Sequence, residues 1–265
     1  MKVFISADME GVTGTTLWEE CDRNSPFYAR FADQMTKEVV AACKGAFAAG
    51  ATEVVVKDSH SSGTNIDITQ LPAGVKLIRN WSGHPYSMVE GIDSSFDAAM
   101  FIGYHAAAGR PGNPLSHTMS SVPYKMKINN QWASEFLIYS YAAAYEGVPT
   151  VFLSGDAMLC EDSHAIHPLL KTVAVKDGIG GLTINESPVS TLQWIEKGSS
   201  DALKENLKNA IITLPEHFEV ELMFREHKVM RNKSYYPGME IVDDLTLRFE
   251  ADDYFEVLRM ISFVL

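Results

Sequence analysis

Polar residues of the kinds that bind metals follow three apolar segments of the chain, at the point where each segment ends. Asp8 and Glu10 follow the first segment, His60 follows the second and His105 follows the third. Carboxylates combined with imidazoles form a borderline ligand set that suits zinc, manganese or cobalt. Two neighbouring carboxylates repel each other, and a bound cation stabilises both in the ionised form. The pattern therefore predicts a metal site that contains these four residues.

The three apolar segments, residues 3–7, 52–56 and 98–103, are predicted to be buried strands. A helix is predicted between the first two, beginning near Ser25-Pro26, because serine and proline favour a helix start. A strand–helix–strand unit implies parallel pairing through a right-handed crossover. Sites in open parallel sheets lie outside the carboxyl ends of the strands. The candidate ligands are therefore expected to meet at one edge of the sheet.

The rest of the chain indicates an α/β protein with a largely parallel sheet flanked by helices, and a smaller α+β portion near the C-terminus. We expect residues 1–190 to form a metal-binding catalytic core and residues 191–265 the smaller portion, with a soft boundary that allows one compact domain. Apolar residues that recur every fourth position predict the buried face of the first helix: Phe27, Phe31, Met35 and Val39. Further helices are predicted at 135–145, 189–197, 200–212 and from 252 onward, and further strands at 149–153, 171–175, 217–224 and 245–251.

The composition narrows the classes of function. A formal net charge of −12 and a pI near 5.1 disfavour binding to nucleic acid. The three cysteines form no C-x-x-C pair, which favours a reducing compartment. The apolar run at the N-terminus is too short for a signal peptide or a membrane span. We therefore expect a cytoplasmic protein with no membrane association.

A histidine in a polar loop could add proton transfer to the metal site. His117 lies in the segment Pro114–Ser120 (sequence PLSHTMS), where it could act as a general acid or base, or as a further ligand. Asp58, two residues before His60, is expected to cap a turn or to orient an imidazole rather than to bind metal. Two carboxylates, two histidines and one more carboxylate would suffice for two metal ions, if one carboxylate bridges them.

Six short motifs, in order along the first 140 residues, resemble the DppA-like D-aminopeptidase family of zinc metallopeptidases, peptidase family M55. The motifs are Ala7-Asp8-Met9-Glu10-Gly11, Asp58-Ser59-His60, Ser87-Met88-Val89-Glu90-Gly91, Gly103-Tyr104-His105-Ala106, Ser116-His117-Thr118-Met119 and Ser134-Glu135. No single motif decides the matter, but the ordered set is highly specific. Beyond these residues the likeness is weaker.

The resemblance implies a particular ligand set. Asp8 would bridge two zinc ions per subunit, Glu10 and His105 would complete one ion, and His60 and Glu135 would complete the other. Mn²⁺ or Co²⁺ could substitute for zinc. Glu135 is a candidate mainly through the resemblance, because by itself it is an acidic residue in the first turn of a helix, where the helix dipole favours it.

The resemblance also implies an activity and an assembly. His117 would be the catalytic histidine, as nucleophile or general base, in an aminopeptidase that releases N-terminal residues from short peptides. The released residues would be D-amino acids such as D-Ala, and the chains would form a ring-shaped homo-oligomer around the active sites.

Two other functions fit the residues. A mixed two-metal site also serves a phosphoesterase or an amidase that acts on a small metabolite. Against phosphate chemistry, no arginine lies among the motif residues, and Arg110 is the only nearby candidate. A non-catalytic metal- or ligand-binding protein would use the same ligands and would not need His117.

Overall fold

Two β-sheets and seven helices make up the chain, and the computed structural model describes residues 1–265. The strands are β1 (Lys2–Ala7), β2 (Glu53–Asp58), β3 (Val75–Ile78), β4 (Ala98–Tyr104), β5 (Pro123–Ile128), β6 (Gln131–Trp132), β7 (Thr150–Asp156), β8 (Lys171–Ile179), β9 (Leu182–Asn185), β10 (Phe218–Phe224), β11 (Met239–Ile241) and β12 (Thr246–Ala251). The helices are α1 (Trp18–Cys21), α2 (Tyr28–Ala48), α3 (Glu135–Tyr145), α4 (Ala157–Ile166), α5 (Pro188–Ala202), α6 (His227–Lys233) and α7 (Tyr254–Val264).

The larger sheet has seven strands in the order β3-β2-β1-β4-β7-β8-β9, and only the β8–β9 pair is antiparallel. Successive side chains of a strand point to opposite faces, so β1 contributes to two separate cores. Val3 and Ile5 pack in the cluster that contains α2 and α5, whereas Phe4 packs in the cluster that contains α3 and α7. This largely parallel sheet with helices on its faces confirms the predicted α/β class.

The smaller sheet is antiparallel, with five strands in the order β11-β12-β10-β5-β6. Strand β10 alternates between buried and partly exposed residues, which is typical of a sheet with one face on a core. Its buried residues, such as Val220 and Leu222, share a core with α3 and α7. The sheet combines strands from both sides of residue 190, and the two-part division near that residue stays a prediction. None of the helices is both long and apolar enough to cross a membrane.

Two expectations about helices were wrong. Residues 200–212 do not form a helix of their own, because α5 runs through to Ala202 and is followed only by a 3₁₀ turn at Leu207–Ala210. There the Asn206 side chain accepts a hydrogen bond from the backbone N–H of Lys208, a local contact that competes with an α-helix. Phe27 is not part of the core: α2 begins one residue later, and the Phe27 side chain is 63% exposed.

Candidate metal centre

The five candidate ligands lie together at the carboxyl edge of the seven-stranded sheet. Asp8 and Glu10 follow β1, His60 follows β2 and His105 follows β4, while Glu135 is the first residue of α3. All five are buried. The Ser134 side chain caps α3 by accepting a hydrogen bond from Leu137 N, and the dipole of the helix start favours the Glu135 carboxylate.

The distances between side chains define two halves of the centre. His60 Nδ1 lies 3.0 Å from Glu10 Oε2 and 3.4 Å from Asp8 Oδ1. His105 Nε2 lies 3.5 Å from Asp8 Oδ2 and 3.3 Å from Glu135 Oε2. The resemblance implied a different division, Glu10 with His105 and His60 with Glu135. The donor atoms of Asp8, Glu10 and His105 also lie within 4.8 Å of one another, so the division that the resemblance implied stays a prediction.

His117 lies over the second half of the centre. Its ring stacks on that of His105, with centroids 4.4 Å apart, and its Nε2 lies 3.6 Å from Glu135 Oε1. Trp18 also packs edge-on against the His117 ring, with centroids 5.4 Å apart. His117 also lines the adjoining cleft, whereas His105 does not. The imidazole is therefore fixed at the boundary between the buried carboxylates and solvent.

Each of the three imidazoles is bound to a backbone carbonyl on the side away from the carboxylates. His60 donates from Nε2 to Cys21 O at 3.1 Å, His105 from Nδ1 to Ala106 O at 3.0 Å, and His117 from Nδ1 to Leu115 O at 2.9 Å. A carbonyl can only accept, so these bonds fix which nitrogen carries the proton. The other nitrogen of each ring faces the carboxylates, and in the neutral ring it carries the lone pair that a metal ion needs.

Burial and close charges shift the pKa values of the cluster in opposite directions. Burial raises the pKa of Asp8 well above its ordinary value, and the neighbouring Glu10 adds to the rise. Burial alone would raise the pKa of Glu135, but the adjacent His105 and His117 lower it to about 2. Burial alone would lower the pKa of His105, but Glu135 and Asp8 raise it to about 10. Such opposed shifts among neighbours are typical of functional sites.

The donor set fits a metal. His105 Nε2 is buried and has no hydrogen-bond partner, although it points toward Asp8 and Glu135. A buried nitrogen without a partner is costly, and a cation would satisfy it. Backbone carbonyls orient metal-bound imidazoles in the way observed here for His60 and His105. The mixture of imidazole and carboxylate is one that zinc accepts.

Comparison with known proteins agrees with this geometry. The sequence model of the D-aminopeptidase family, peptidase family M55, matches residues 1–263. The chain belongs to this family. A D-aminopeptidase of Bacillus subtilis (strain 168) is 32% identical over 261 residues, which cover 98% of this chain and 94% of the relative. The predicted resemblance is therefore confirmed.

A solved structure extends the likeness to the whole fold. The Zn-dependent D-aminopeptidase DppA from Bacillus subtilis, described as a self-compartmentalizing protease, has a TM-score of 0.92 with this chain at 30% sequence identity. The alignment covers 100% of this chain and 96% of that one. The predicted enzyme class, a metallo-aminopeptidase, is confirmed by these relationships.

Close backbone packing joins the two loops that carry most of the ligands of this D-aminopeptidase family member. Asp8 N donates to Ile102 O and Gly11 N donates to Gly103 O, both at 2.8 Å. A Cβ atom at Gly11 would lie 1.7 Å from the Tyr104 carbonyl oxygen. Gly103 has a φ of +73°, and a Cβ there would lie 2.3 Å from the Asp8 carbonyl oxygen. Only glycine fits at either position.

Three supporting residues were not predicted. Asn113 Nδ2 donates to Glu10 O and to Asp156 Oδ2, and Asp156 Oδ2 also accepts from Ala106 N. Lys176 is buried in β8 and donates from Nζ to the carbonyls of Glu10 and Thr15. Burial lowers the pKa of Lys176 to about 8. A lysine directly after an apolar strand segment, and an aspartate at the end of β7, were the available signals.

Asp58 makes a turn and touches no metal-site side chain. Its carboxylate accepts hydrogen bonds from Asn65 N, Asn65 Nδ2 and Ile66 N. Asn65 Nδ2 also donates to the carbonyl of His60. Asp58 therefore shapes the loop that carries His60, in agreement with the predicted capping role.

A cleft of about 1000 Å³ opens over the centre. Asp8, Glu10, His60, His117 and Glu135 lie in its floor. The walls come from several parts of the chain, including a strand of the five-stranded sheet: Trp18, Trp81, Met88, Met119, Pro123 and Arg225. The cleft is therefore large enough for a short peptide to reach the five floor residues.

Proposed function

We propose that the protein is a dinuclear zinc aminopeptidase that releases N-terminal D-amino acids, such as D-Ala, from short peptides. Asp8 would bridge the two ions, with Glu10 and His105 completing one and His60 and Glu135 completing the other, and the donor atoms of Asp8, Glu10 and His105 lie within 4.8 Å of one another. Mn²⁺ and Co²⁺ are expected to substitute for zinc, because the same ligand types accept them.

The orientation of Asp8 carries the proposal of two ions. Its Oδ1 faces His60, at 3.4 Å, and its Oδ2 faces His105, at 3.5 Å. A carboxylate that directs its two oxygens at two imidazoles is suited to bridge a pair of cations. Glu10 and Glu135 then flank the bridge, one beside each imidazole.

The zinc ligands and His117 would have different roles in peptide hydrolysis. When bound, the zinc pair supplies Lewis acidity for the attack of water on a peptide carbonyl. His117 Nε2, free of any backbone partner and exposed to the cleft, accepts the proton of the attacking water and delivers it to the leaving amine.

Arg110 gives no support to phosphate ester hydrolysis, although Arg225 does line the cleft. Arg110, the candidate phosphate-binding residue, is held by Asp162 through contacts of 2.8 Å from Nε and 2.7 Å from Nη2. A bidentate carboxylate pair of this kind already satisfies the guanidinium. Arg110 is also absent from the lining of the cleft.

Two further features belong to the proposal. The chain is expected to act in the cytoplasm, and to assemble into a ring-shaped homo-oligomer that encloses its active sites, as the description of its structural relative as self-compartmentalizing suggests. The β8–β9 hairpin and the start of α5 expose apolar residues suited to contacts between subunits: Ile179, Leu182, Ile184 and Val189. Light scattering coupled to size-exclusion chromatography measures the assembly.

The test is hydrolysis of D-Ala-p-nitroanilide and L-Ala-p-nitroanilide by the purified protein, before chelation, after chelation and after restoration of zinc. We expect zinc-dependent hydrolysis of the D form. Hydrolysis of the L form alone would keep the aminopeptidase and refute the D preference. Hydrolysis of p-nitrophenyl phosphate instead of both anilides would replace the proposal with a phosphoesterase.

A further inference from the structure

A single guanidinium lines the cleft. Arg225 is the only lysine or arginine among the residues of its floor and walls, which also include the carboxylates of Asp8, Glu10, Asp22 and Glu135. An arginine presents five N–H donors in a planar fork and accepts no hydrogen bond. Its presence in the wall therefore indicates a place for an anionic group of the substrate.

The backbone and one aromatic ring fix the position of Arg225. The residue directly follows Phe224, the last residue of β10, and Phe224 is paired with Pro123 of β5, which lines the same cleft. The guanidinium carbon of Arg225 lies 5.0 Å from the ring centroid of Tyr124, the residue after Pro123. Stacking on an aromatic ring holds a guanidinium in place and leaves the N–H donors at its edge free.

No carboxylate of the chain is paired with Arg225. Its side chain forms no ion pair and no hydrogen bond within the chain, in contrast to Arg110 and Arg248, which are both paired with carboxylates. Arg231 is similarly unpaired, and its guanidinium carbon lies 5.2 Å from the ring centroid of Tyr235, but it does not line the cleft. Free donors and a place in the cleft are therefore combined only in Arg225.

We infer that Arg225 binds the C-terminal carboxylate of the peptide whose N-terminal residue lies at the metal centre. The inference rests on the proposed aminopeptidase and names its substrate class, which is short peptides with a free C-terminal carboxylate. The arginine fork matches the two oxygens of a carboxylate, and such charge-assisted pairs are stronger than neutral hydrogen bonds. The C-terminal carboxylate is also the one anionic group that every unmodified peptide carries.

Two fixed contacts would select the length of the substrate. Arg225 follows a strand of one sheet and Asp8 follows a strand of the other, so the fold sets the distance between the guanidinium and the metal centre. A peptide of matching length contacts both, whereas the carboxylate of a longer peptide lies beyond Arg225. The preference for a free carboxylate should therefore be greatest at one chain length.

Matched pairs of peptides test the inference: D-Ala-Gly, D-Ala-Gly-Gly and D-Ala-Gly-Gly-Gly, each as the free acid and as the C-terminal amide. Release of D-Ala gives kcat and KM for each peptide. We expect the wild type to prefer the acid of one length by about 10-fold in kcat/KM, the lower end for a hydrogen-bonded charge pair that solvent reaches. The effect should lie mainly in KM, because the contact is remote from the reacting carbonyl.

Variants of two arginines assign the preference. Arg225→Met should reduce the ratio of kcat/KM for acid and amide to about 1, and Arg225→Lys should keep part of the preference, because lysine retains the charge without the fork. Arg231→Met is the matched control, since it also removes an exposed arginine that lies over a tyrosine, and it should keep the wild-type ratio. Partial loss of folded protein does not change this ratio, because acid and amide are measured on the same sample.

The outcomes separate the inference from the function on which it rests. Equal kcat/KM of the wild type for acids and amides would refute the role of Arg225 and leave the aminopeptidase intact. A preference that persists in Arg225→Met, or that is lost in Arg231→Met as well, would also overturn it. Absence of hydrolysis of every peptide and of D-Ala-p-nitroanilide would refute both.

Discussion

The charged groups of the two sheets lie in contrasting environments. At the carboxyl edge of the seven-stranded sheet, Asp8, Glu10 and Glu135 are buried against imidazoles. On the five-stranded sheet, the Arg248 side chain is 41% exposed among three carboxylates, of which Glu240 is nearest at 2.7 Å. Buried charges depend on every partner, whereas exposed charges are screened by water and contribute little. Chemistry and sensitivity to substitution should therefore concentrate at one sheet.

Replacement of a histidine in each region should give the sharpest contrast. His117→Ala is expected to keep its bound zinc and to lower kcat/KM by about 10²–10⁴-fold, the range for loss of a general acid or base. His217→Ala is the control, because His217 is an exposed residue paired with Asp252 just before β10. Near wild-type turnover by His117→Ala would show that another group transfers the proton.

Removal of the metal should destabilise the protein only through the carboxyl edge of the seven-stranded sheet. A ligand at 100 to 1,000 times its Kd stabilises the folded state by about 3–4 kcal/mol, so chelation should lower the unfolding free energy by about that amount relative to zinc-loaded protein. Urea denaturation with and without a chelator measures the difference. Chelation should lower the unfolding free energy of Arg248→Ala by the same amount as that of the wild type. An unfolding free energy that does not change on chelation would contradict the metal centre.

Replacement of the buried Lys176 should lower the free energy of unfolding more than replacement of the exposed Arg248. Lys176→Met removes the donor to the Glu10 and Thr15 carbonyls, and a buried polar group without its partner costs about 1–3 kcal/mol. Zinc affinity should also weaken, by roughly 10–100-fold, because Glu10 loses its support. Arg248→Ala should change neither quantity appreciably. Urea denaturation and competition for zinc with a chromogenic chelator provide the two readouts.

The smallest expected effect is a pH dependence of the stability that His217 contributes beside the five-stranded sheet. The hydrogen bond to Asp252, with the nearby Glu250, raises the pKa of His217 above its ordinary value of 6.5. The stabilisation is therefore complete below pH 6.5 and is lost as the pH rises through the raised pKa. Melting temperatures of wild type and His217→Ala should converge as the pH rises, and added salt should reduce their difference. A gap that grows with pH would mean that the pair does not form.

Most ligands of the metal centre could be predicted because they directly follow strand ends in the sequence. Asp8, Glu10, His60 and His105 each follow a buried strand, and parallel pairing of β1, β2 and β4 brings those ends to one edge. Glu135 could not be placed in this way, since it belongs to a helix start rather than to a strand end. Its motif, rather than its spacing, indicated the role.

The five-stranded sheet was only partly predictable because its strand order depends on long-range pairing. Strand β5 pairs with β10, and Ile128 lies opposite Val220, which is more than 90 positions away in the sequence. No local pattern in the sequence predicts this pairing. The exposure of Phe27 and the turn at Asn206 depend on where neighbouring segments end. Which carboxylate adjoins which imidazole likewise depends on side-chain directions, which the sequence spacing does not contain.

The mutual contact of Gly11 and Gly103 bears on how the protein would acquire its ions. Because the backbones of the two ligand loops lock together, the donor positions are set when the chain folds, before any ion arrives. Capture of an ion then loses little conformational entropy, and its rate should depend on how fast the ion sheds water. Chains synthesised during zinc shortage would form a ready reserve, activated by zinc without refolding.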